Sequence, residues 1–145
     1  MRKLAAILLL IGLLVPWPAS AKPAPALSHV QITHAGADNS GWIPAGKIAG
    51  TALQGQRFYL AVRFTGYPDP NLISLYQNGH LIPKNQISEP FGRSGVGNPY
   101  TGWIYQFAMP ITYGNGTITV KARGNSGWFY DNIYNVRSIY QAADD

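Results

Sequence analysis

The sequence predicts an all-β fold, an antiparallel sandwich of two packed sheets with about seven strands. Its 16 Gly and 11 Pro residues interrupt the chain so often that no long helical period survives. Between these interruptions, apolar and polar side chains alternate in short runs, which is typical of strands with one buried face. One sheet alone would leave its apolar face in water, so two packed sheets are the economical arrangement.

The first 21 residues are predicted to form a secretory signal peptide. Arg2 and Lys3 supply the positive end, residues 4–15 are almost entirely apolar, and residues 19–21 (Ala-Ser-Ala) match a cleavage site. The apolar run is shorter than the about 20 residues that cross a bilayer. We therefore expect cleavage after Ala21, a secreted or periplasmic protein, and no transmembrane span.

The rest of the chain divides into a short spacer (22–26), a single sandwich domain (27–140) and a frayed tail (141–145). Cleavage would lower Lys plus Arg from 11 to 9 against 6 Asp plus Glu, so the formal net charge falls from +5 to +3. These charges are spread along the chain, unlike the dense basic patches that bind nucleic acid. We therefore expect no nucleic-acid partner, and the sequence does not indicate an oligomeric state.

The first half of the domain contains two clear strand signals. Val30 and Ile32 alternate with polar residues, and a turn-rich segment follows at residues 36–41. The clearest strand covers residues 57–64, in which alternate positions are large and apolar. Residues 67–70 (Tyr-Pro-Asp-Pro) end it, because proline cannot donate to a sheet ladder.

A β-hairpin is predicted around Asn78-Gly79. The dipeptide separates the strand-like runs 73–77 and 80–83, and its two residues tolerate the positive φ angles of a type I′ turn. We expect Tyr76 to lie opposite Leu81.

Strands are also predicted at residues 103–109, 117–123 and 133–140, with loops at 91–97 and 127–132. The inner faces of the first two strands are alternate residues: Trp103, Tyr105 and Phe107, then Ile118, Val120 and Ala122.

Two segments resemble bacterial extracellular immunoglobulin-like domains. Residues 73–82 are similar to the central hairpin of those domains, and residues 116–125 are similar to their penultimate strand. The resemblance implies an immunoglobulin-like sandwich. Residues 123–126 (Arg-Gly-Asn-Ser) lack the Asp of the calcium-binding corner found in many such domains, so it implies no calcium site. A single domain after a signal peptide, with Gly-Trp-Ile-Pro at 41–44 and Gly-Trp-Ile-Tyr at 102–105, also resembles the YolA-like family of small secreted bacterial proteins of unknown function. This resemblance implies no activity.

The composition argues against an enzyme. The chain has no Cys, which excludes thiol catalysis and thiolate metal sites. The acidic residues fall in separate loops or the tail, so no catalytic carboxylate pair is indicated. His29 and His34 are expected on opposite faces of one strand, and His80 follows the hairpin turn, which is poor geometry for a metal. We therefore expect no catalytic residues, no metal and no cofactor.

Aromatic residues outside the expected core are the candidate contact surface. They are Trp128, Phe129, Tyr130, Tyr100, Trp103 and Trp42. Aromatic rings beside amide side chains suit stacking on sugars, and the same residue types dominate protein interfaces. The alternative is that Trp42 and Trp128 cap the ends of the sandwich.

The sequence therefore predicts a small exported, non-catalytic binding module. Its partner would be an envelope or extracellular glycan or another protein surface. The alternatives are a structural or protective secreted domain with no discrete ligand, or a secreted effector.

Overall fold

The computed structural model describes residues 26–96, 101–124 and 127–142, which form ten strands and short 3₁₀ segments. The strands are β1 (His29–Ala37), β2 (Gly41–Pro44), β3 (Ala52–Gly55), β4 (Arg57–Thr65), β5 (Ile73–Gln77), β6 (His80–Leu81), β7 (Ser88–Val96), β8 (Gly102–Pro110), β9 (Gly116–Gly124) and β10 (Gly127–Tyr140). The 3₁₀ segments are Ala45–Gly50, Pro70–Leu72, Lys84–Gln86 and Ile111–Tyr113.

The strands form two five-stranded sheets, in the orders β2-β1-β4-β8-β7 and β3-β10-β9-β5-β6. Neighbours are antiparallel except β3 and β10, which pair in parallel. Without β2 and β3, the two sheets have the strand orders of the immunoglobulin fold. In its nomenclature β1-β4-β8-β7 correspond to strands A-B-E-D, and β10-β9-β5-β6 correspond to G-F-C with an added C′ strand. The predicted fold class is confirmed, with ten strands instead of about seven.

The core lies between the inner faces of the two sheets. The apolar residues of β4 (Phe58, Leu60, Val62 and Phe64) and of β9 (Ile118, Val120 and Ala122) are fully buried, as their alternation predicts. Many immunoglobulin domains join these two sheets by a disulfide. This chain has no Cys, so the packing of the apolar core takes the place of that disulfide.

Two segments that were predicted as loops are strands. Residues 91–96 belong to β7, whose ladder with β8 is irregular between Ser88 and Gly92. Residues 127–132 form the first part of β10, because pairing with β9 begins at Gly127 opposite Gly124. In both cases the ladder with the strand next to it in the chain, β8 or β9, makes a strand of a segment that the local sequence had indicated as a loop.

The predicted hairpin is confirmed. Asn78 and Gly79 have φ angles of 51° and 83°, and Tyr76 lies opposite Leu81. Asn78 also binds the start of β9, because its N–H donates to the Thr117 carbonyl (2.8 Å) and its Oδ1 accepts the Thr117 N–H (2.9 Å). The turn therefore joins β5 and β6 to β9.

Replacing Gly79 with Val is expected to lower the free energy of unfolding by about 1–3 kcal/mol, since a β-branched residue resists positive φ. A Cβ at this position meets no atom within 4 Å, so the cost is backbone strain alone. Gly79→Asn is the control, because Asn tolerates this region, and it should cost less. Equal denaturation midpoints for Gly79→Val and wild type would contradict the strain.

Asp38 holds the turn that follows β1. Its Oδ2 accepts the N–H groups of Gln56 (2.7 Å) and Arg57 (3.1 Å), and its Oδ1 accepts the Tyr59 hydroxyl (2.7 Å). Loss of hydration raises the pKa of this carboxyl, but these hydrogen bonds and the charge of Arg57 together hold the pKa below 3.8. The same contact raises the pKa of Tyr59.

The pKa of Asp38 is lower in the folded state than its ordinary value of 3.8. The charged carboxylate therefore stabilises the fold fully above pH 3.8, and this stabilisation is lost as the pH falls through the folded-state pKa. Asp38→Asn should lower the free energy of unfolding by about 1 kcal/mol near neutral pH, since the site is exposed. Urea denaturation at a series of acidic pH values should show that the stability difference between wild type and Asp38→Asn shrinks below pH 3.8. Tyr59→Phe, which removes one donor, should have a smaller effect. A difference that stays constant with pH would refute the role of the charge.

Candidate functional site

The first half of β10 separates the consecutive aromatic residues onto two faces. Trp128 and Tyr130 point outward and are 45% and 66% exposed, whereas Phe129 turns inward and packs against the core. This separation follows from the alternation of side chains along a strand. The structure therefore brings Trp128 and Tyr130 together on one outer face and removes Phe129 from it.

Basic side chains of β9 complete this surface. Arg123 lies opposite Trp128 and Lys121 lies opposite Tyr130. Lys121 Nζ is 5.0 Å and Arg123 Cζ is 5.6 Å from the centroid of the Trp128 ring, within the range of cation–π attraction. We call Trp128, Tyr130, Lys121 and Arg123 the basic aromatic face.

Polar side chains border the basic aromatic face. Thr119 lies opposite Asn132, and its hydroxyl donates to Asn132 Oδ1. On the other side of β9, Ser74 lies opposite Lys121 and Tyr76 opposite Thr119. Hydroxyl and amide groups thus surround the rings and the two cations.

Among the side chains that the structure describes, neither Lys121 nor Arg123 has a carboxylate partner. The carboxylate of Asp131, one residue from Tyr130, accepts the N–H of Ile32 from the opposite sheet at 2.8 Å. Asp131 thus ties the two sheets together, and among the described side chains neither cation of the basic aromatic face forms an ion pair.

A separate groove of about 540 Å³ lies between β1, the 3₁₀ segment Ala45–Gly50 and residues 131–135 of β10, and no residue of the basic aromatic face lines it. Its walls include β1 residues 29–32 and Tyr134, which is exposed. The groove lies where β10 pairs irregularly with β9 between Ile133 and Val136, and where Asn135 has a φ of 57°. Tyr134 therefore adds a third exposed ring to the same strand.

The other predicted contact residues do not join the basic aromatic face. Trp103 lies opposite Phe64 and is half-buried against the core, with the Tyr67 ring edge-on at 5.9 Å. Trp42 is on β2, on the outer face of the other sheet, where it meets Tyr59 edge-on at 6.2 Å. Tyr100 lies outside the described residues.

The histidine prediction requires a correction. A bulge between Ile32 and His34 changes the alternation of β1, so His29 and His34 lie on the same face and not on opposite faces. Across the described part of the chain, no group of three or more His, Cys, Asp or Glu side chains could hold a metal ion. No helix there is long and apolar enough to cross a membrane.

Lys121 and Arg123 were not among the sequence-predicted contact residues. The signal was present, because the alternation that buries Ile118, Val120 and Ala122 also turns Lys121 and Arg123 outward. Their proximity to Trp128 depended on the pairing of β9 with β10, which requires residues 127–132 to be a strand.

Comparisons with known proteins give a family and a set of similar folds. A family model described as a domain of unknown function, DUF4879, matches residues 22–135. Similar solved structures are a titin M10–obscurin-like 1 Ig complex (12% identity, 81% of this chain and 99% of that chain, TM-score 0.44) and titin Ig tandem domains A164-A165 (13% identity, 64% of this chain and 44% of that chain, TM-score 0.40). No curated protein matches the sequence. The strand order described above carries the fold assignment.

Proposed function

Because the chain belongs to the DUF4879 family, whose function is unknown, we propose a function from the geometry: an exported, non-catalytic module that binds a glycan through the basic aromatic face. The observation that carries the proposal is the exposure of Trp128 and Tyr130 side by side on one strand. The sheet fixes the backbone of both residues, so little ordering entropy is lost when a ligand stacks on them.

The spacing of the rings suits a linear polymer. Trp128 and Tyr130 are two residues apart, which places their Cα atoms about 7 Å apart along the strand. Aromatic faces stack on the apolar faces of sugar rings, while neighbouring hydroxyl and amide groups bind the sugar hydroxyls. Thr119 and Asn132 supply such groups beside the rings.

The composition of the surface favours a glycan over a protein partner. The outward residues of β9 from Thr117 to Arg123, and of β10 from Trp128 to Asn132, include no aliphatic side chain. Stable protein interfaces usually have an apolar centre with a polar rim. Here aromatic rings stand among hydroxyl, amide and cationic groups.

The carboxylates with described side chains support a non-catalytic role. Each accepts a backbone N–H: Asp38 from Gln56 and Arg57, Asp69 from Asn71, and Asp131 from Ile32. These carboxylates hold turns and sheets together, and none of these contacts forms the pair that glycoside hydrolysis requires.

Trp128→Ala should weaken glycan binding about tenfold, which corresponds to about 1.4 kcal/mol of lost stacking. The free energy of unfolding should change by less than about 1 kcal/mol, because the ring is exposed. Affinity electrophoresis against a panel of neutral and acidic polysaccharides measures the first quantity, and thermal denaturation the second.

Trp42→Ala is the matched control, because Trp42 is 42% exposed and Trp128 is 45% exposed, on different sheets. It should leave glycan binding unchanged. Equal losses in both variants, or no retardation of the wild type by any glycan, would refute the proposal and favour a domain without a discrete ligand. A stability loss of several kcal/mol in Trp128→Ala would show instead that this ring caps the core.

A further inference from the structure

We infer that the glycan is anionic, a polysaccharide whose sugar rings carry carboxylate or sulfate groups. This inference rests on the proposed function and narrows it to a chemical class. It depends on Lys121 and Arg123, which lie over the ring of Trp128 and have no carboxylate partner among the side chains that the structure describes.

The geometry places the positive charges where a stacked sugar would carry its acidic group. Lys121 and Arg123 are two residues apart on β9 and share its outer face with Thr119. Their charged groups lie 5.0 and 5.6 Å from the Trp128 centroid. An acidic sugar that contacts the exposed part of Trp128 would therefore bring its negative group close to both cations.

The cations are also oriented before a ligand arrives. Attraction to the Trp128 ring holds both groups over it, which restricts otherwise flexible side chains. An oxyanion can then accept hydrogen bonds from the guanidinium and the ammonium groups, and such charge-assisted bonds are stronger than neutral ones. A neutral glycan would leave these donors without a charged acceptor.

Other anionic polymers match the face less well. Single-stranded nucleic acids also stack on aromatic rings, but they need a positively charged groove that follows many phosphates. A charged membrane surface attracts clusters of basic residues. The basic aromatic face has two cations, and hydroxyl and amide groups border it. That combination matches sugar hydroxyls with an occasional acidic substituent.

The test compares polygalacturonate with the same polymer after methyl esterification, which keeps the rings and removes the charge. The wild type should bind the acidic form at least about tenfold more tightly at low salt, and added salt should reduce this preference. The double variant Lys121→Gln/Arg123→Gln should lose the preference. Dextran sulfate and dextran form a second pair, which separates sulfate from carboxylate recognition.

Arg57→Gln/Arg63→Gln is the charge-matched control, since both residues lie on the outer face of β4, in the other sheet. It should keep the preference for the acidic polymer. An equal loss in this control would mean unspecific attraction and overturn the inference. Thermal denaturation should show that all variants remain folded, because each replaced side chain lies on an outer surface.

The remaining outcomes separate the inference from the proposed function. If the acidic and esterified polymers bind equally tightly and Trp128→Ala weakens both, the inference is wrong and the proposed glycan binding stands. No binding to any glycan would overturn both. Tighter binding to a single-stranded oligonucleotide or to vesicles containing phosphatidylglycerol than to the acidic glycans would also overturn the inference.

Discussion

Replacing Phe64 with Ala is expected to lower the free energy of unfolding by about 3–5 kcal/mol. The side chain is 0% exposed, so the change removes a whole ring from the centre of the core. Phe64 meets Tyr105 edge-on with ring centroids 5.1 Å apart, and Tyr105 in turn lies 6.1 Å from Phe107. The cavity would therefore also disrupt an aromatic cluster that joins β4 to β8.

Tyr130→Ala is the matched control for this prediction. It removes a ring of similar size, but one that is 66% exposed on the outer face. Its cost should remain below about 1 kcal/mol, while glycan binding weakens. Chemical denaturation of both variants measures the difference. A Phe64→Ala protein as stable as Tyr130→Ala would show that the sheets do not pack as described.

Gly66→Ala is expected to destabilise the protein by about 3 kcal/mol or more, from two independent causes. Gly66 has a φ of 87°, a conformation that residues with a Cβ rarely adopt. A Cβ would also lie 2.1 Å from the carbonyl oxygen of Ala26, so the backbone itself would have to move. This close approach positions Leu27, which is buried in the core.

Gly46→Ala tests whether these causes act at Gly66 in particular. A Cβ at Gly46 meets no atom within 4 Å, and its φ lies outside the left-handed region. Its effect on the free energy of unfolding should stay within about 0.5 kcal/mol. Similar melting temperatures for Gly66→Ala and Gly46→Ala would contradict the close contact between Gly66 and Ala26.

Local sequence signals were sufficient for the elements whose structure has a local cause. The alternation at residues 57–64 and 117–123 and the Asn78-Gly79 turn predicted β4, β9 and the hairpin. Strand β7 was missed because its segment is rich in Gly and Ser, and only the ladder with β8 makes it a strand. The start of β10 was missed because residues 124–127 (Gly-Asn-Ser-Gly) indicate a loop, whereas the ladder with β9 already begins at Gly127.

Only part of the candidate site could be predicted from the sequence. Side-chain alternation predicts that Trp128 and Phe129 cannot share a face, and the structure shows this separation. Alternation does not say which surfaces meet. Trp42 and Trp128 lie on different sheets because the strand order places β2 beside β1 and β10 beside β9. The pairings of β1 with β4 and of β9 with β5, which join residues far apart in sequence, assign these two strand pairs to different sheets.

The irregular pairing around Asn135 limits where the chain can change in length. Ile133 and Val136 are both buried, although residues i and i+3 of a regular strand point to opposite faces. The extra residue in the bulge makes this possible. Deleting Asn135 would restore a regular strand with Trp128 still outside. Deleting one residue between Trp128 and Asn132 would instead turn part of the stacking surface into the core. Related sequences should therefore vary in length at the bulge and keep a constant length between Trp128 and Ile133.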